Sequence, residues 1–216
     1  MIDLSNLSVH FGHAAALRDA NLVIERGDRL GVVGESGSGK TLLALCLMGM
    51  APDSARLTGQ LRIDGQDMAR AAERDWQRLR SRRVAMVFQE PTLLPWRCLR
   101  DNITIPTGVD AKTAEDALTE VGLAGRGSDF PAQLSLGQQR RLSLARAFAV
   151  KPTLLLLDEP FVSLDPALAD EMILLFIRLR EAHQVASIFV THVVDEAEKM
   201  ASRTIRLAGS PARLVL

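Results

Sequence analysis

Gly34-Glu35-Ser36-Gly37-Ser38-Gly39-Lys40-Thr41 sets a glycine, four free positions and then Gly-Lys-Thr in one run. That spacing suits the binding of a phosphate chain. Glycines let backbone N–H groups turn inward and approach phosphate oxygens closely. A helix opening near Gly39 adds its positive end. Lys40 supplies a point charge for β- and γ-phosphates, and the Thr41 hydroxyl is a magnesium ligand. The competing reading is a glycine-rich turn. Four fixed positions match by chance in roughly one chain per hundred of this length. The context argues further against chance, because an apolar run precedes the loop and another follows it. The expected ligands are ATP and Mg2+.

A second group of candidates lies at Leu154-Leu155-Leu156-Leu157-Asp158-Glu159. It places two acids at the C-terminal end of an apolar strand, the edge where ligands sit in open α/β sheets. Asp158 is the expected magnesium ligand, direct or through water. Glu159 is then the candidate base that orients or deprotonates an attacking water. The alternative is a turn that caps the next helix.

These residues need a scaffold. Arg29–Val33 reads as a buried strand running into the glycine loop, and 41–50 as an apolar helix. Val84–Phe88, Thr153–Leu157 and Ser187–Val190 are short apolar runs, suited to parallel strands covered on both faces. Helical patterns separate them at 111–121, 138–150, 167–182 and 195–201. Ile2–Val9, Ala20–Glu25 and Leu61–Asp64 read as further strands, the last closed by an Asp64-Gly65 turn. Glu90–Leu134 has no convincing core strand and holds prolines at 91, 95, 106 and 131, so it reads as a helical insert. The fold class expected from these patterns is α/β with a helical insert.

The 216 residues suit one domain with an inserted subdomain, and 47% hydrophobic content is enough for a core. The formal net charge is zero, which weighs against a nucleic-acid partner. The Arg78-Leu79-Arg80-Ser81-Arg82-Arg83 cluster reads as a solvated helix end. Cys46 and Cys98 match no metal-ligand spacing and are expected as thiols. The opening residues lack a basic region before an apolar one, so no leader is expected. No apolar run approaches the ~20 residues that cross a bilayer.

With these motifs in order, the chain resembles the nucleotide-binding subunit of an ABC (ATP-binding cassette) transporter of the importer type. The resemblance covers nearly the whole chain. Gln89 follows its strand as the family's glutamine loop does. Leu134-Ser135-Leu136-Gly137-Gln138 looks like the family signature, and Gln139–Ala147 like its usual continuation. Asp158-Glu159-Pro160, the loop Ser163-Leu164-Asp165-Pro166 and His192 complete the order.

The resemblance implies that two subunits sandwich two ATP molecules head to tail. Ser135 and the Gly137 N–H would contact the γ-phosphate across that interface, with Gln138 among the nucleotide-contacting residues. His192 would contact the γ-phosphate, Gln89 would sense magnesium and the attacking water, and Asp165 would couple the two sites. Phe11 stands where the family has an adenine-stacking aromatic, with ordinary core packing as the alternative. Leu136 replaces the signature's usual first glycine, and an ordinary helical or extended backbone is expected there. The family resemblance carried by the motifs also implies, more finely, a phosphate-loop NTPase core with a RecA-like parallel sheet and an N-terminal antiparallel β subdomain. The domain division implied is 1–89 and 146–216 as nucleotide-binding core and 90–145 as helical signature subdomain.

Leu94 and Trp96 follow the glutamine loop, where importer-type members face the membrane subunit; packing inside the insert is the alternative. His10, His13 and His183 have no ligand partners at useful spacing and read as surface or loop residues. The function implied is an ATPase subunit driving solute import. Its partners would be transmembrane permease subunits, a second copy or homologous ATPase subunit, and a solute-binding protein. Its place would be cytoplasmic, peripheral on the inner membrane face. The competing functions are a short cassette for cell division or lipoprotein release, and a non-transport ABC protein. Hints about cargo disagree: the glycine loop resembles peptide- and metal-importer subunits, whereas 91–96 resembles nitrate- or sulfonate-type importers.

Overall fold

The computed structural model describes residues 1–162 and 164–215. Ser163, expected in the loop before Asp165, lies outside the described residues. The chain forms two compact units, Met1–Arg80 with Ala186–Leu216, and Ser81–Val185.

The first unit begins with β1 (Ile2–Phe11) and β2 (Ala14–Ile24), an antiparallel hairpin turning at Gly12. β3 (Arg29–Val33) leads into the glycine loop and α1 (Lys40–Leu47). β4 (Ala55–Ile63) pairs with β1, and β5 (Gln66–Asp67) with β4, so the first sheet runs β2-β1-β4-β5. Ile2, Leu4, Leu7 and Val9 of β1 are buried, with Leu17, Leu22 and Ile24 of β2. α1 buries Leu43, Ala44, Cys46 and Leu47. It gives way to Gly49, at φ 62°, onto which the indole of Trp76 is packed. That tryptophan is the buried residue of α2 (Glu73–Arg82), an otherwise polar helix whose Arg80 caps the end of α1 by donating to Met48 O at 3.0 Å.

In the second unit, β6 (Val84–Val87) runs to the helical segment. That segment holds α3 (Leu99–Thr107), α4 (Ala111–Glu120) and a single 3-10 turn at Pro131–Gln133, and no strand, as expected for the insert. Asp110 caps α4 by accepting the Thr113 N–H at 2.7 Å. α5 (Leu136–Ala149) packs on α3, α4 and β6. β7 (Leu154–Asp158) has all five residues buried and pairs parallel with β6. α6 (Pro166–His183) packs on α5, with Phe148 tilted against Phe176 at 6.3 Å between centroids.

The chain then returns to the first unit. β8 (Ala186–Thr191), wholly buried, pairs parallel with β3. α7 (Val194–Met200) covers β3 and β8. β9 (Arg203–Ala208) pairs parallel with the other edge of β3, and β10 (Arg213–Val215) antiparallel with β9. The order here is β10-β9-β3-β8. Continuous apolar runs make the central strands because both faces are covered.

The architecture is the α/β fold expected, with three differences in detail. β2 and β4 start six residues earlier than the sequence pattern suggested, because their first halves are half-exposed and carry mixed residues. β9 and β10 were not anticipated, although Ile205 and Leu207 alternate with exposed neighbours in the period of a strand. His183 is in the last turn of α6 and not in a loop: its ring lies 5.4 Å from Phe148, and Nε2 is 2.9 Å from Glu120 Oε2.

Candidate functional site

In the first unit the glycine loop joins a parallel strand to a helix. Gly39 precedes α1 with φ 89° and ψ 12°, a left-handed conformation that glycine adopts freely, and no side chain caps the helix. A helix start without a side-chain cap turns its positive end toward the loop, which suits an anion. Gly34 is required for a different reason: a Cβ there would stand 2.5 Å from the Leu207 carbonyl oxygen of β9 and 2.6 Å from Ser38 Oγ. The Ser38 hydroxyl is itself buried without a hydrogen-bond partner among the described residues. Lys40 is only 4% exposed. Its ammonium donates to Gly34 O at 3.0 Å and Glu35 O at 2.8 Å, so loop dipoles hold the charge in place. A cradle that excludes a Cβ, an uncapped helix start, an orphaned hydroxyl and a positioned cation together fit a phosphate chain. Glu35, Ser36 and Gly37 form the exposed crest of the loop. They line a cavity of about 330 Å³ together with Ser38 and residues 206–210.

β3 and β8 bring His192 to this loop's edge. Val33 and Thr191 are register partners, so Gly34 and His192 leave the same end of adjacent parallel strands. Thr191 is fully buried and fixes the turn: its hydroxyl accepts the Val193 N–H at 3.0 Å and donates to Glu196 at 3.1 Å. Sequence reasoning missed these two supports. Phe11 ends β1 at the hairpin tip with 36% of its surface exposed, which sets it apart from the core. Thr41 is exposed in the first turn of α1.

In the second unit, β6 and β7 do the same for another group. Val87 pairs with Leu157, so Gln89 and the pair Asp158–Glu159 emerge at one end of the two strands. Asp158 is 6% exposed. Such a hard oxygen donor suits magnesium, which takes one or two protein carboxylates and its other ligands from phosphate and water. Glu159 has φ 46°. A non-glycine residue in the left-handed region stores strain, and such strain concentrates at functional sites.

The signature residues start α5. Ser135 Oγ accepts the Gln138 N–H at 3.3 Å, and Gln138 Oε1 accepts the Ser135 N–H at 3.0 Å. This reciprocal cap was legible as Ser-x-x-Gln and was overlooked. It occupies the Gln138 amide. Leu136 is the first residue of the helix, with ordinary helical backbone as expected, and its side chain is 46% exposed. Gly137 is buried against Leu168 of α6. Asp165 caps α6 by accepting the Leu168 N–H at 3.1 Å, ahead of Pro166 at the first helical position. Trp96 is 70% exposed, which removes the reading of it as core. Its loop is pinned by the fully buried Asn102, whose amide accepts from Leu94 N at 2.7 Å and donates to the carbonyls of Leu94, Arg97 and Cys98.

A glycine loop between a parallel strand and an uncapped helix, in an α/β framework with acids closing a second buried strand, defines the phosphate-loop NTPase fold. The family model described as ABC transporter matches residues 17–162, and the chain belongs to that family, whose members bind ATP. It is 39% identical over 199 residues to the trimethylamine N-oxide transport system ATP-binding protein of Ruegeria pomeroyi, covering 89% of this chain and 58% of that relative. It is 42% identical over 209 residues to an aliphatic sulfonates import ATP-binding protein of Pseudomonas syringae, covering 96% and 69%. The chain thus spans less than two thirds of the first relative's length. Among solved structures it matches a dimeric ATP-binding cassette in a post-hydrolysis state bound to ADP and Pi. That match has a TM-score of 0.83 at 28% identity, covering 100% of this chain and 97% of the other. No described helix is long and apolar enough to cross a membrane.

Proposed function

We propose that the chain is an ATP-hydrolysing subunit that powers solute import through a separate membrane permease. One observation carries the reading: a single chain holds an uncapped glycine-loop helix that suits an anion and, on α5, a second helix start where exposed Ser135 borders a cavity that Gly137 and Gln138 also line. Two copies arranged head to tail would use both on each nucleotide, and the dimeric state of the similar cassette supports that arrangement.

In this reading Phe11 stacks on adenine, while Gly34, Glu35, Ser36, Gly37, Ser38, Gly39, Lys40 and Thr41 wrap the phosphates. Thr41, Asp158 and Gln89 would be the residues to hold magnesium, which would supply charge stabilisation for the β- and γ-phosphates. Glu159 takes the proton of the attacking water. His192 steadies the γ-phosphate, Ser135, Gly137 and Gln138 face the partner copy's nucleotide, and Asp165 links the two sites. Residues 1–89 and 146–216 serve as the nucleotide-binding core and 90–145 as the signature subdomain.

Exposed Trp96, on a loop that Asn102 holds rigid, supplies an apolar anchor for the permease. The protein then sits peripherally on the cytoplasmic membrane face. The names of the similar proteins support import of a small organic solute, delivered by a solute-binding protein. The cargo is selected on those other subunits.

Affinity purification from membranes of the native host tests the whole reading. Recovery of a permease, with magnesium-dependent ATP turnover by the complex, is expected. Recovery of ribosomes or DNA in its place would sink it. Trp96→Ala is expected to hold folding stability within about 0.5 kcal/mol while reducing permease recovery.

A further inference from the structure

The signature helix grips the segment that follows Gln89. Ser143 Oγ donates to Pro91 O at 3.0 Å. One turn further, Arg146 donates from Nη2 to Pro91 O at 3.0 Å and to Thr92 Oγ1 at 2.9 Å, and from Nη1 to Thr92 O at 2.9 Å. Thr92 has φ 46°, a conformation that a β-branched residue adopts only when its surroundings impose it. No carboxylate appears among these contacts, so the guanidinium is spent on backbone and hydroxyl oxygens. A planar fork reaches these acceptors from two nitrogens held in a fixed geometry, which the single nitrogen of an ammonium does not reproduce. At the other end of the same face, Arg140 is 5% exposed, with Nε and Nη1 lacking hydrogen-bond partners among the described residues. Burial disfavours its charge, and nearby Glu90 offsets part of that.

We propose that Arg146 is a positioning residue for Gln89: from the C-terminal part of the signature helix it fixes the Pro91–Thr92 backbone, tying the aim of the glutamine to the tilt of that helix. The inference rests on reading the chain as an ATPase that works in head-to-tail pairs. A nucleotide engaged at Ser135 pulls on the start of α5. Arg146 and Ser143 pass that displacement to the backbone just after Gln89, because side chains held by several hydrogen bonds move as one body with the helix. The signature and the glutamine loop are then one mechanical part, and Arg140 is a second contact that Glu90 reaches when the segment shifts.

The test uses the full chain as wild type, Arg146→Lys, Gln89→Ala and the double variant. Thermal unfolding and affinity for a fluorescent ATP analogue are measured beside kcat and KM. Arg146→Lys keeps the charge and loses the fork. It is expected to retain nucleotide affinity while kcat falls about tenfold or more, as misplacement of a reacting group does. The double variant is expected to fall no lower than Gln89→Ala alone, because both changes remove one function. Ser143→Ala, which deletes one hydrogen bond, is expected to lower kcat in the same direction by less. Wild-type turnover in Arg146→Lys, or losses that multiply in the double variant, would overturn the proposal. A wild-type chain without turnover would instead count against the ATPase reading.

Discussion

A Cβ on Gly137 would stand 2.9 Å from Leu168 Cδ1, so the first turn of α5 meets the first turn of α6 at a separation where any added side chain must displace the end of Leu168. The residue read from sequence as a phosphate contact is also a packing contact. Gly137→Ala displaces the end of a flexible leucine, and a small loss of stability is expected. Gly137→Val is expected to cost about 1–3 kcal/mol, the usual range for overpacking. Urea denaturation of both variants measures the difference, and equal midpoints would remove the packing role.

Lys40→Ala is expected to weaken ATP binding roughly 10- to 150-fold, the equivalent of about 1.5–3 kcal/mol for hydrogen bonds to a charged group. The Gly34 and Glu35 carbonyls that hold its ammonium lie near the exposed crest of the loop and turn to water in the variant. Stability should change less than affinity. Isothermal titration with ATP checks the first expectation and thermal unfolding the second.

Glu159→Gln is expected to bind ATP, lose about 10²–10⁴-fold in turnover and accumulate a nucleotide-bound dimer. Light scattering with ATP and magnesium detects that dimer. Undiminished turnover would remove Glu159 as the base. Glu159→Gly is expected to abolish turnover without lowering stability, because glycine relieves the φ of 46°.

Burial pushes the Cys46 thiol from its ordinary 9.0 up to about 12. The folded-state value is raised, so the neutral thiol's contribution is complete below pH 9.0 and is lost as pH rises toward 12. The slope is about 1.4 kcal/mol per pH unit for one proton. The chain has no tyrosine, which keeps this alkaline limb simple. Urea midpoints at pH 8 and 10 are expected to diverge in the wild type and to converge in Cys46→Ala. At neutral pH a thiol reagent should modify half-exposed Cys98 well before Cys46.

The central strands were legible because buried parallel strands are continuous apolar runs, as at 154–157 and 187–190. α2 was harder to see: apart from Trp76 it buries nothing, and a polar helix leaves no stripe. The Ser135–Gln138 box and the Asp165-Pro166 start carried local signals that the family reading overshadowed. His183 looked isolated because its partners, Phe148 and Glu120, come from other helices.

By itself the sequence determined the glycine loop, the two acids and the order of the signature and histidine. Each is a short run whose backbone chemistry is local: spacing sets which N–H groups converge and which side chain follows a strand. Only the tertiary structure decided why Gly34 admits no side chain, that Glu159 holds a left-handed backbone, and that Arg146 grips Thr92. Those facts depend on Leu207, on the turn after β7, and on residues more than fifty positions apart in the chain. Contacts at such separations have no period for a sequence to display. They exist once packing has brought the elements together, and at Arg146 they link two motifs that the sequence presented as separate.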